Sequence, residues 1–314
     1  MAHVRLRHVG RVGGVIDIPI GLVESQYAYA GVAGRKFVAG LPALVEEWLG
    51  RWGLRPDGAP MHGMAALVLP VVRAADGVPA VVKFQVLDEE TAGEPVALRV
   101  WDGAGAVRLL DYDPASGTML LERLDERRML STVADSREAV LVIADLLARL
   151  TAGPAPRGMR RLGDIAERML AQVPSALPRI ADRGRRALVA DCAAAVREVA
   201  GEPGDRLLHW DLHFENVLAS EREPWLAIDP KPLAGDPGFD LWPVLDNRFE
   251  ADEVVWRFDA LTGALGLDRV RARAWTLGRV LQNALWDVAD GRPLAADGLE
   301  IVRRLRARGT ARSG

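Results

Sequence analysis

The sequence has very few lysines and a single cysteine. Among its 40 basic residues only Lys36, Lys83 and Lys231 are lysines, so every other cation is an arginine. A lysine that persists in such a chain, above all Lys83 within an apolar run, calls for a functional explanation. Cys192 has no partner for an internal disulfide and lies in an Ala-rich helical stretch, so we interpret it as a buried structural thiol. We expect a reduced, cytoplasmic protein.

Long apolar runs and a large net charge are also absent, and we expect no signal sequence. No uninterrupted apolar run approaches the roughly 20 residues that cross a bilayer. Residues 1–7 contain basic side chains but no apolar segment follows them, so we expect no secretory signal. The formal net charge of −3 gives no reason for a nucleic-acid or membrane partner. We therefore expect neither partner, and a monomer.

The composition is that of a globular protein with an uneven distribution of charge. Of its 314 residues, 49% are hydrophobic and 26% charged, which allows two lobes. Residues 201–290 hold 17 acidic and 9 basic residues, a net charge of −8, which leaves +5 for the rest of the chain. An acidic half suggests a cationic substrate, although a solvated acidic surface is equally compatible.

Sequence patterns typical of β-strands are concentrated before residue 123. Residues 65–72 and 80–86 are apolar runs separated by a turn at 75–77, which predicts a hairpin. Further elements are expected as a helix over 41–52, a helix over 89–101, strands over 106–110 and 118–122, helices near 136–151, 161–173, 184–200, 250–266 and 270–289, and strand texture again within 206–229. This order predicts an α+β protein of two lobes, a β-rich lobe over 1–122 and a helical lobe over 123–314.

Residues 209–216 carry the strongest chemical pattern. Their sequence, HWDLHFEN, fits H-x-D-x-x-x-x-N, in which Asp211 would orient a substrate hydroxyl and Asn216 would hold a metal ion. The apolar runs 217–219 and 225–228 follow, and Asp229 comes directly after them. If these runs pair as a hairpin, both metal ligands and Asp211 converge as Mg²⁺ and a phosphoryl group require. The alternative is a surface hairpin with incidental acidic residues.

A kinase-type site also needs a lysine on a central strand and a glutamate on the next helix. Lys83 is flanked by apolar residues, where a charge costs free energy unless it is paired. Glu94, on the expected helix, is its natural partner, and Glu90, one turn earlier, is the competitor. Alone, Lys83 would suit a solvated edge strand. The scarcity of lysine in this chain and the position of Lys83 within an apolar run together favour the functional interpretation.

Several segments resemble the aminoglycoside/hydroxyurea antibiotic-resistance kinase family. They are residues 93–101 (GEPVALRVW), 106–110 (AVRLL), 118–124 (TMLLERL), 209–216, and 225–242 (WLAIDPKPLAGDPGFDLW). The resemblance extends over residues 20–291 and implies a protein-kinase-like fold and ATP- and Mg²⁺-dependent phosphorylation of a small antibiotic. It further implies Asp211 as catalytic base, Asn216 and Asp229 as Mg²⁺ ligands, Lys83 on the nucleotide phosphates, Glu94 orienting Lys83, and Glu122 to Leu124 as the hinge that binds adenine through backbone groups.

The chain departs from the protein-kinase pattern in two places. Asp229 is followed by Pro230 rather than by Phe-Gly. Trp210 occupies the position at which protein kinases have an arginine that binds the phosphorylated activation loop. We therefore expect no regulation by phosphorylation of the protein-kinase kind. Near residues 235–240, Asp236 or Asp240 is expected to brace the catalytic loop rather than to touch substrate.

The expected substrate is a cationic aminoglycoside, since carboxylates recognise guanidinium groups well in bidentate geometry. Streptomycin, phosphorylated at its 6-hydroxyl to confer resistance, fits this chemistry. The substrate candidates on the last expected helix are Asn283, Trp286 and Asp287, whose mixed polar and aromatic face is either a pocket wall or the margin of a core tryptophan stripe. Asp246 and Glu250 are further candidates.

Three other functions are compatible with parts of the pattern. A kinase of hydroxyurea or another small hydroxyl compound would share the fold but would not need an acidic cleft. A pseudokinase would bind nucleotide without turnover, yet all four expected catalytic and nucleotide residues are present. A protein kinase would need a docking segment after Asp229 ending in A-P-E, and none follows.

Overall fold

The computed structural model of the protein describes residues 16–310. The expectation about a secretory signal concerns residues 1–7 and lies outside them. The described chain divides into two compact units. The first runs up to Thr91 and resumes over Leu109–Arg123, and the second comprises Ala92–Arg108 and the chain from Leu124 onward. From the sequence we predicted a single lobe over residues 1–122. In the structure, Ala92–Arg108 belongs to the second unit.

The first unit combines two helices with an antiparallel sheet. Its elements are α1 (Ile20–Tyr29), α2 (Gly31–Arg51), β1 (Leu54–Pro56), β2 (Met61–His62), β3 (Ala66–Arg73), β4 (Pro79–Gln85), β5 (Leu109–Tyr112) and β6 (Met119–Glu122). The strand order is β1-β3-β4-β6-β5, and β2 also pairs with β3. Leu41 and Val45 of α2 pack with Leu67 and Val82 of the sheet in one hydrophobic core. This unit matches the expected β-rich half of an α+β protein.

The predicted hairpin is formed by β3 and β4, which pair antiparallel along their length. Asp76 closes the turn, because its carboxylate pairs with Arg73 at 2.7 Å and accepts a hydrogen bond from the backbone N–H of Val78 at 3.1 Å. Val82 and Phe84 are wholly buried. β4 is thus a central strand with β-branched and aromatic side chains packed on its faces, as strand propensity favours.

The strand expected over 106–110 begins later, at Leu109. Ala106 instead forms an isolated bridge with Ala227, and the N–H of Val107 donates to the carbonyl of Ala227 at 2.9 Å. The apolar run is therefore divided between two partners. Its first residues pair in the second unit and its last residues join the sheet of the first.

The helix expected over 89–101 is shorter, because α3 spans Glu94–Trp101. Asp88 accepts a hydrogen bond from the N–H of Glu90 at 2.8 Å and fixes a turn ahead of the helix. Pro95 then occupies the first helical turn, where its missing N–H costs nothing. Glu90 is therefore not on the helix, and the prediction that it lies one turn before Glu94 is wrong.

The second unit is mainly helical. Besides α3 it contains β7 (Asp125–Met129), α4 (Ser136–Leu150), α5 (Leu162–Ala176), α6 (Arg183–Val199), β8 (Arg206–Leu208), β9 (Val217–Ala219), β10 (Leu226–Ala227), β11 (Leu233–Gly235), α7 (Trp242–Asp246), α8 (Val254–Ala264), α9 (Arg269–Ala289) and α10 (Ala296–Thr310). The five helices expected after residue 130 are all present, with ends shifted by a few residues. The helices α7 and α10 were not expected.

Local signals account for the helices that the sequence predicted. Asp135 caps α4 by accepting a hydrogen bond from the N–H of Arg137 at 2.8 Å, and Asp268 caps α9 through Arg271 in the same way. α10 buries the stripe Leu299, Val302 and Leu305. Arg303 and Arg304 lie between Val302 and Leu305 and make the apolar period hard to recognise in the sequence.

The two longest helices are α2 and α9, with 21 residues each. Charged residues interrupt both, among them Lys36 in α2 and Arg279 in α9. Within residues 16–310, no helix combines the length and apolar character that crossing a membrane requires.

Candidate active site

The site begins with the hairpin of β9 and β10 in the second unit. Leu218 lies opposite Leu226, and the N–H of Ile228 donates to the carbonyl of Asn216 at 2.9 Å. The predicted pairing of these runs is therefore confirmed. Asn216 and Asp229 lie together at the open end of the hairpin. Asp229 has a left-handed backbone with φ of +56°, a conformation that costs free energy for a residue with a side chain.

Asn216 also joins the hairpin to the loop that carries Asp211. Its side-chain Nδ2 donates to the backbone carbonyl of Asp211 at 2.9 Å. Because Nδ2 is used in this way, the amide oxygen Oδ1 is the atom that Asn216 can offer to a cation. Asp211, Asn216 and Ile228, the residue before Asp229, thus form one hydrogen-bonded framework within the second unit.

Asp211 forms an ion pair with Lys231, whose Nζ lies 2.6 Å from Oδ2 of the carboxylate. Burial alone would raise the pKa of Asp211, but the charge and hydrogen bond of Lys231 outweigh it, and the net shift of the pKa is downward. Asp211 is therefore ionised at neutral pH and can accept a hydrogen bond. Sequence reasoning missed this use of Lys231, although the scarcity of lysine marked it.

His209 supports the loop from inside the protein, where it is fully buried. Its Nε2 lies 3.1 Å from the carbonyl of Ile228, and the N–H of Asp211 points at Nδ1 from 3.4 Å. Since Nδ1 faces a donor, we assign the proton to Nε2, which donates to Ile228. Burial lowers the pKa of His209 to about 4, and the ring stacks against Trp101 of α3 at 6.1 Å. A neutral histidine therefore connects Asp211 with the residue before Asp229.

Asp240 braces the catalytic loop from the opposite side. Its two carboxylate oxygens accept hydrogen bonds from the N–H of His209 at 2.9 Å and of Trp210 at 2.7 Å. Burial raises the pKa of Asp240 to about 7. Asp236 instead accepts from the N–H of Gly238 and pairs with Arg271. Of the two carboxylates expected to brace the loop, Asp240 does so.

Trp210 lies between two arginines. The guanidinium of Arg160 lies 4.7 Å from the centre of the indole and that of Arg279 lies 4.5 Å from it, and Trp286 approaches edge-on at 6.4 Å. The backbone of Trp210 has φ of +68°, which costs about 1–2 kcal/mol for a bulky residue. The two cation–π contacts and the hydrogen bond to Asp240 hold the residue in this conformation.

A second set of contacts holds the loop after Asp211. The Asn247 side chain accepts a hydrogen bond from the N–H of Phe214 at 2.9 Å and donates to Glu215 at 3.2 Å. Glu215 in turn pairs with His213 at 2.9 Å. Asn247 was missed by sequence reasoning, because a partner more than 30 residues away leaves no trace in local spacing.

The residues present fit a magnesium ion that takes part of its coordination from a nucleotide. Asn216 offers an amide oxygen and Asp229 a carboxylate, and Mg²⁺ prefers oxygen ligands while keeping several waters or phosphate oxygens. Within the described residues, no group of three His, Cys, Asp or Glu side chains is placed to hold a metal ion. Asn216 and Asp229 would therefore supply two protein oxygens to a Mg²⁺ ion whose remaining ligands are waters or phosphate oxygens.

The expected nucleotide residues are divided between the two units. Lys83 lies on β4 opposite Met119 and is 4% exposed, and Glu94 is the first residue of α3 and 1% exposed. Glu122 ends β6, and Leu124 is buried just after it. The pairing of Lys83 with Glu94 and the adenine hinge at 122–124 remain predictions.

Asp246 is the substrate candidate that the structure leaves without a partner. It ends α7, and within the part of the chain that the structure describes its carboxylate has no hydrogen bond or ion pair. Burial, followed by the charge of Asp297, raises the pKa of Asp246 to about 6. A cation beside this carboxylate would offset the free-energy cost of ionising it in a partly buried position.

The other substrate candidates have different surroundings. Glu250 is exposed and lies 3.9 Å from Arg257, and Asp287 pairs with Arg292 at 3.1 Å. Asn283 lines a small pocket between α9 and α10, together with Asp287. Trp286 is 42% exposed. Of the tryptophans on α9, Trp275 is therefore a wholly buried core residue, and Trp286 lies at the surface.

Much of the acidic excess in residues 201–290 is neutralised by arginines from outside that segment. The ion pairs are Arg137 with Glu253, Arg149 with Glu223, Arg292 with Asp287, and Arg304 with Asp252. These pairs reduce the set of carboxylates that could meet a cationic substrate.

Known proteins resemble this chain over most of its length. It is 66% identical to a hydroxyurea phosphotransferase of Kitasatospora aureofaciens over 90% of this chain and 83% of that protein. It is 57% identical to a streptomycin 6-kinase of Streptomyces glaucescens over 88% of this chain and 92% of that protein. Among solved structures, an aminoglycoside phosphotransferase in complex with ADP and hygromycin B matches with a TM-score of 0.56 at 16% identity, covering 86% of this chain and 98% of that one.

These likenesses establish the fold and the class of enzyme. The structural match shows a protein-kinase-like fold, as the sequence predicted. Residues 51–291 match the family described as aminoglycoside/hydroxyurea antibiotic resistance kinase, and the relatives above 50% identity carry the names of its members. The chain is a phosphotransferase that belongs to the aminoglycoside/hydroxyurea antibiotic resistance kinase family.

Proposed function

We propose that the protein transfers the γ-phosphoryl group of ATP, with Mg²⁺, to the 6-hydroxyl of streptomycin and thereby confers resistance. The observation that carries this proposal is the framework that joins Asp211, Asn216 and Asp229 through the Asn216 side chain and the hairpin hydrogen bond of Ile228. Phosphoryl transfer needs alignment and charge neutralisation more than covalent help, and this framework provides both.

Each residue has a distinct role in the reaction. Asp211 is ionised and accepts a hydrogen bond from the acceptor hydroxyl, which aligns that oxygen with the γ-phosphorus. Asn216 and Asp229 would hold Mg²⁺, which would offset negative charge on the phosphate oxygens. Lys83 binds the α- and β-phosphates, and Glu94 orients Lys83.

Asp246 is the residue that we assign to substrate recognition. It directly precedes Asn247, which binds the loop after Asp211, so the carboxylate sits on an element tied to the catalytic loop. Streptomycin carries guanidinium groups, and a half-buried carboxylate without a partner is a suitable acceptor for one of them. This assignment favours a cationic drug.

Hydroxyurea is the second candidate substrate, because the 66% identical relative is named a hydroxyurea phosphotransferase. Hydroxyurea is small and neutral. It would use the same catalytic framework but would gain nothing from the charge of Asp246.

The experiment measures ATP turnover with Mg²⁺ against streptomycin, kanamycin and hydroxyurea, for the wild type and for Asp246→Asn. Turnover of streptomycin with a KM that rises about 10–100-fold in the variant is expected, as the loss of a hydrogen bond to a charged group predicts. Asp205→Asn, an exposed carboxylate, is the matched control. Turnover of hydroxyurea alone, unchanged in Asp246→Asn, would replace streptomycin by the second candidate. Nucleotide binding without any turnover would indicate a pseudokinase.

A further inference from the structure

We propose that Lys231 is a positioning residue for phosphoryl transfer, which fixes one oxygen of the Asp211 carboxylate so that the other is presented to the acceptor hydroxyl. This inference rests on the proposed function of Asp211. Its basis is the ion pair of 2.6 Å between Nζ of Lys231 and Oδ2 of Asp211. Among residues 16–307, Oδ1 of Asp211 has no hydrogen-bond partner, so the two oxygens are already different before substrate binds.

The backbone of Lys231 is fixed to the loop that it serves. Its N–H donates to the carbonyl of His209 at 3.1 Å, and its carbonyl accepts from Nη2 of Arg160 at 3.0 Å. Pro230 and Pro232 flank it and restrict the chain on both sides. The Lys231 ammonium therefore extends from a rigid backbone segment. Its ion pair fixes the position of the Asp211 carboxylate relative to that segment.

The side chain at this position is a lysine in a chain that otherwise uses arginine. Only three of 40 basic residues are lysines, so a background preference for arginine does not explain Lys231. A guanidinium binds carboxylates through two parallel hydrogen bonds and would engage both oxygens of Asp211. An ammonium is a compact charge that can hold a single oxygen, which is what a carboxylate that must also meet a hydroxyl requires.

The kinetic test compares Lys231→Ala, Lys231→Gln and Lys231→Arg with the wild type in the ATP-dependent assay. We expect kcat to fall about 100-fold in all three, because a misplaced catalytic group costs that much, while KM for ATP stays within about twofold. The arginine variant keeps the charge but occupies both oxygens, so it does not restore the rate. Lys36→Ala, at an exposed position on α2, is the matched control.

Chemical rescue separates positioning from a structural role. Ethylammonium can enter the space left in Lys231→Ala and pair with Asp211, whereas tetraethylammonium at equal concentration has no N–H to donate. We expect the first to raise kcat of the alanine variant and the second to leave it unchanged. Loss of activity without rescue, together with a collapse of thermal stability, would assign Lys231 a structural role and overturn the proposal.

A spectroscopic test of the ion pair needs no substrate. Lysine labelled with ¹³C at Cε gives three side-chain signals, because the chain has three lysines. The Lys231 signal is identified by its loss in Lys231→Arg. We expect Asp211→Asn to shift it and to leave the Lys36 signal in place.

The kinetic and spectroscopic tests together distinguish failure of the inference from failure of the proposed function. The inference would be overturned if the chemical shift of the Lys231 signal is the same in Asp211→Asn as in the wild type, or if Lys231→Ala keeps the wild-type kcat. Either result would do so even when streptomycin is phosphorylated. If no acceptor is phosphorylated, the proposed function fails, and the lysine signal alone decides whether Lys231 holds Asp211.

Discussion

The side chain of Asn216 donates a hydrogen bond to the backbone carbonyl of Asp211 at 2.9 Å. The carbonyl of the same asparagine accepts from Ile228, the residue before Asp229. Asn216, itself a proposed metal ligand, therefore connects the proposed base Asp211 with the residue that precedes the second proposed ligand, Asp229. A change at Asn216 should disturb the cation and the base together.

Replacing Asn216 by alanine should lower kcat about 100–1000-fold and raise the Mg²⁺ concentration needed for half-maximal activity. The reason is that the variant loses both an oxygen ligand and the hydrogen bond that fixes Asp211. A Mg²⁺ titration of the initial rate measures both effects. Gln172→Ala, at an exposed site on α5, is the control. An unchanged Mg²⁺ requirement would contradict the assignment of Asn216 as a ligand.

Replacing Asp240 by alanine should destabilise the fold by about 2–6 kcal/mol, because two buried N–H groups lose their acceptor. Asp240→Asn keeps one acceptor oxygen and should cost less. The pKa of Asp240 is raised to about 7, so its contribution to stability is present at low pH and is lost as the pH rises through 7. The cost of Asp240→Asn should therefore shrink between pH 5 and pH 8. Urea unfolding at both pH values measures this, with Asp205→Ala as the control, and a cost that grows with pH would refute it.

Replacing Trp210 by arginine, the residue found in protein kinases, should destabilise the protein by on the order of 3 kcal/mol. The variant loses two cation–π contacts and places a third guanidinium between Arg160 and Arg279. Trp210→Phe keeps a ring and should cost less. Trp256→Arg removes a contact with the exposed Arg137 and should cost under about 1 kcal/mol. Equal losses for Trp210→Arg and Trp256→Arg in thermal unfolding would contradict the buried stacking.

His209 should remain neutral at pH 5.5 in the folded protein. Its pKa is lowered to about 4 by burial, so between pH 6.5 and 4 the unfolded chain binds more protons than the folded one. The stability that neutral His209 contributes is therefore fully present above pH 6.5 and is lost as the pH falls toward 4. Histidine side-chain NMR, with the signal assigned by its loss in His209→Gln, measures the titration directly. A midpoint near 6.5 would show that the ring is not buried as described.

The central features of the site followed from short-range sequence signals. The spacing in 209–216 and the two apolar runs before Asp229 predicted a hairpin that the structure contains. These elements are local, and strand period and turn composition specify them. The helices α4 and α9 were also predicted, and each begins at an aspartate cap, which is a local signal as well.

What the sequence did not reveal depends on partners distant along the chain. Lys231 reaches Asp211 across 20 residues, and Arg160 approaches Trp210 from 50 residues away. No spacing rule links such positions, because tertiary packing brings them together. The early start assigned to α3 was a local error, since the turn at Asp88 was read as helix.

The measurement that tests the central claim most directly is transfer of radiolabel from [γ-³²P]ATP to streptomycin, with Mg²⁺, by the wild type and by Asp211→Asn. We predict a phosphorylated product with the wild type and a rate lowered by orders of magnitude in the variant, while nucleotide binding is retained. Labelled streptomycin formed equally well by Asp211→Asn would contradict the role of Asp211. No labelled product with the wild type would contradict streptomycin as the substrate.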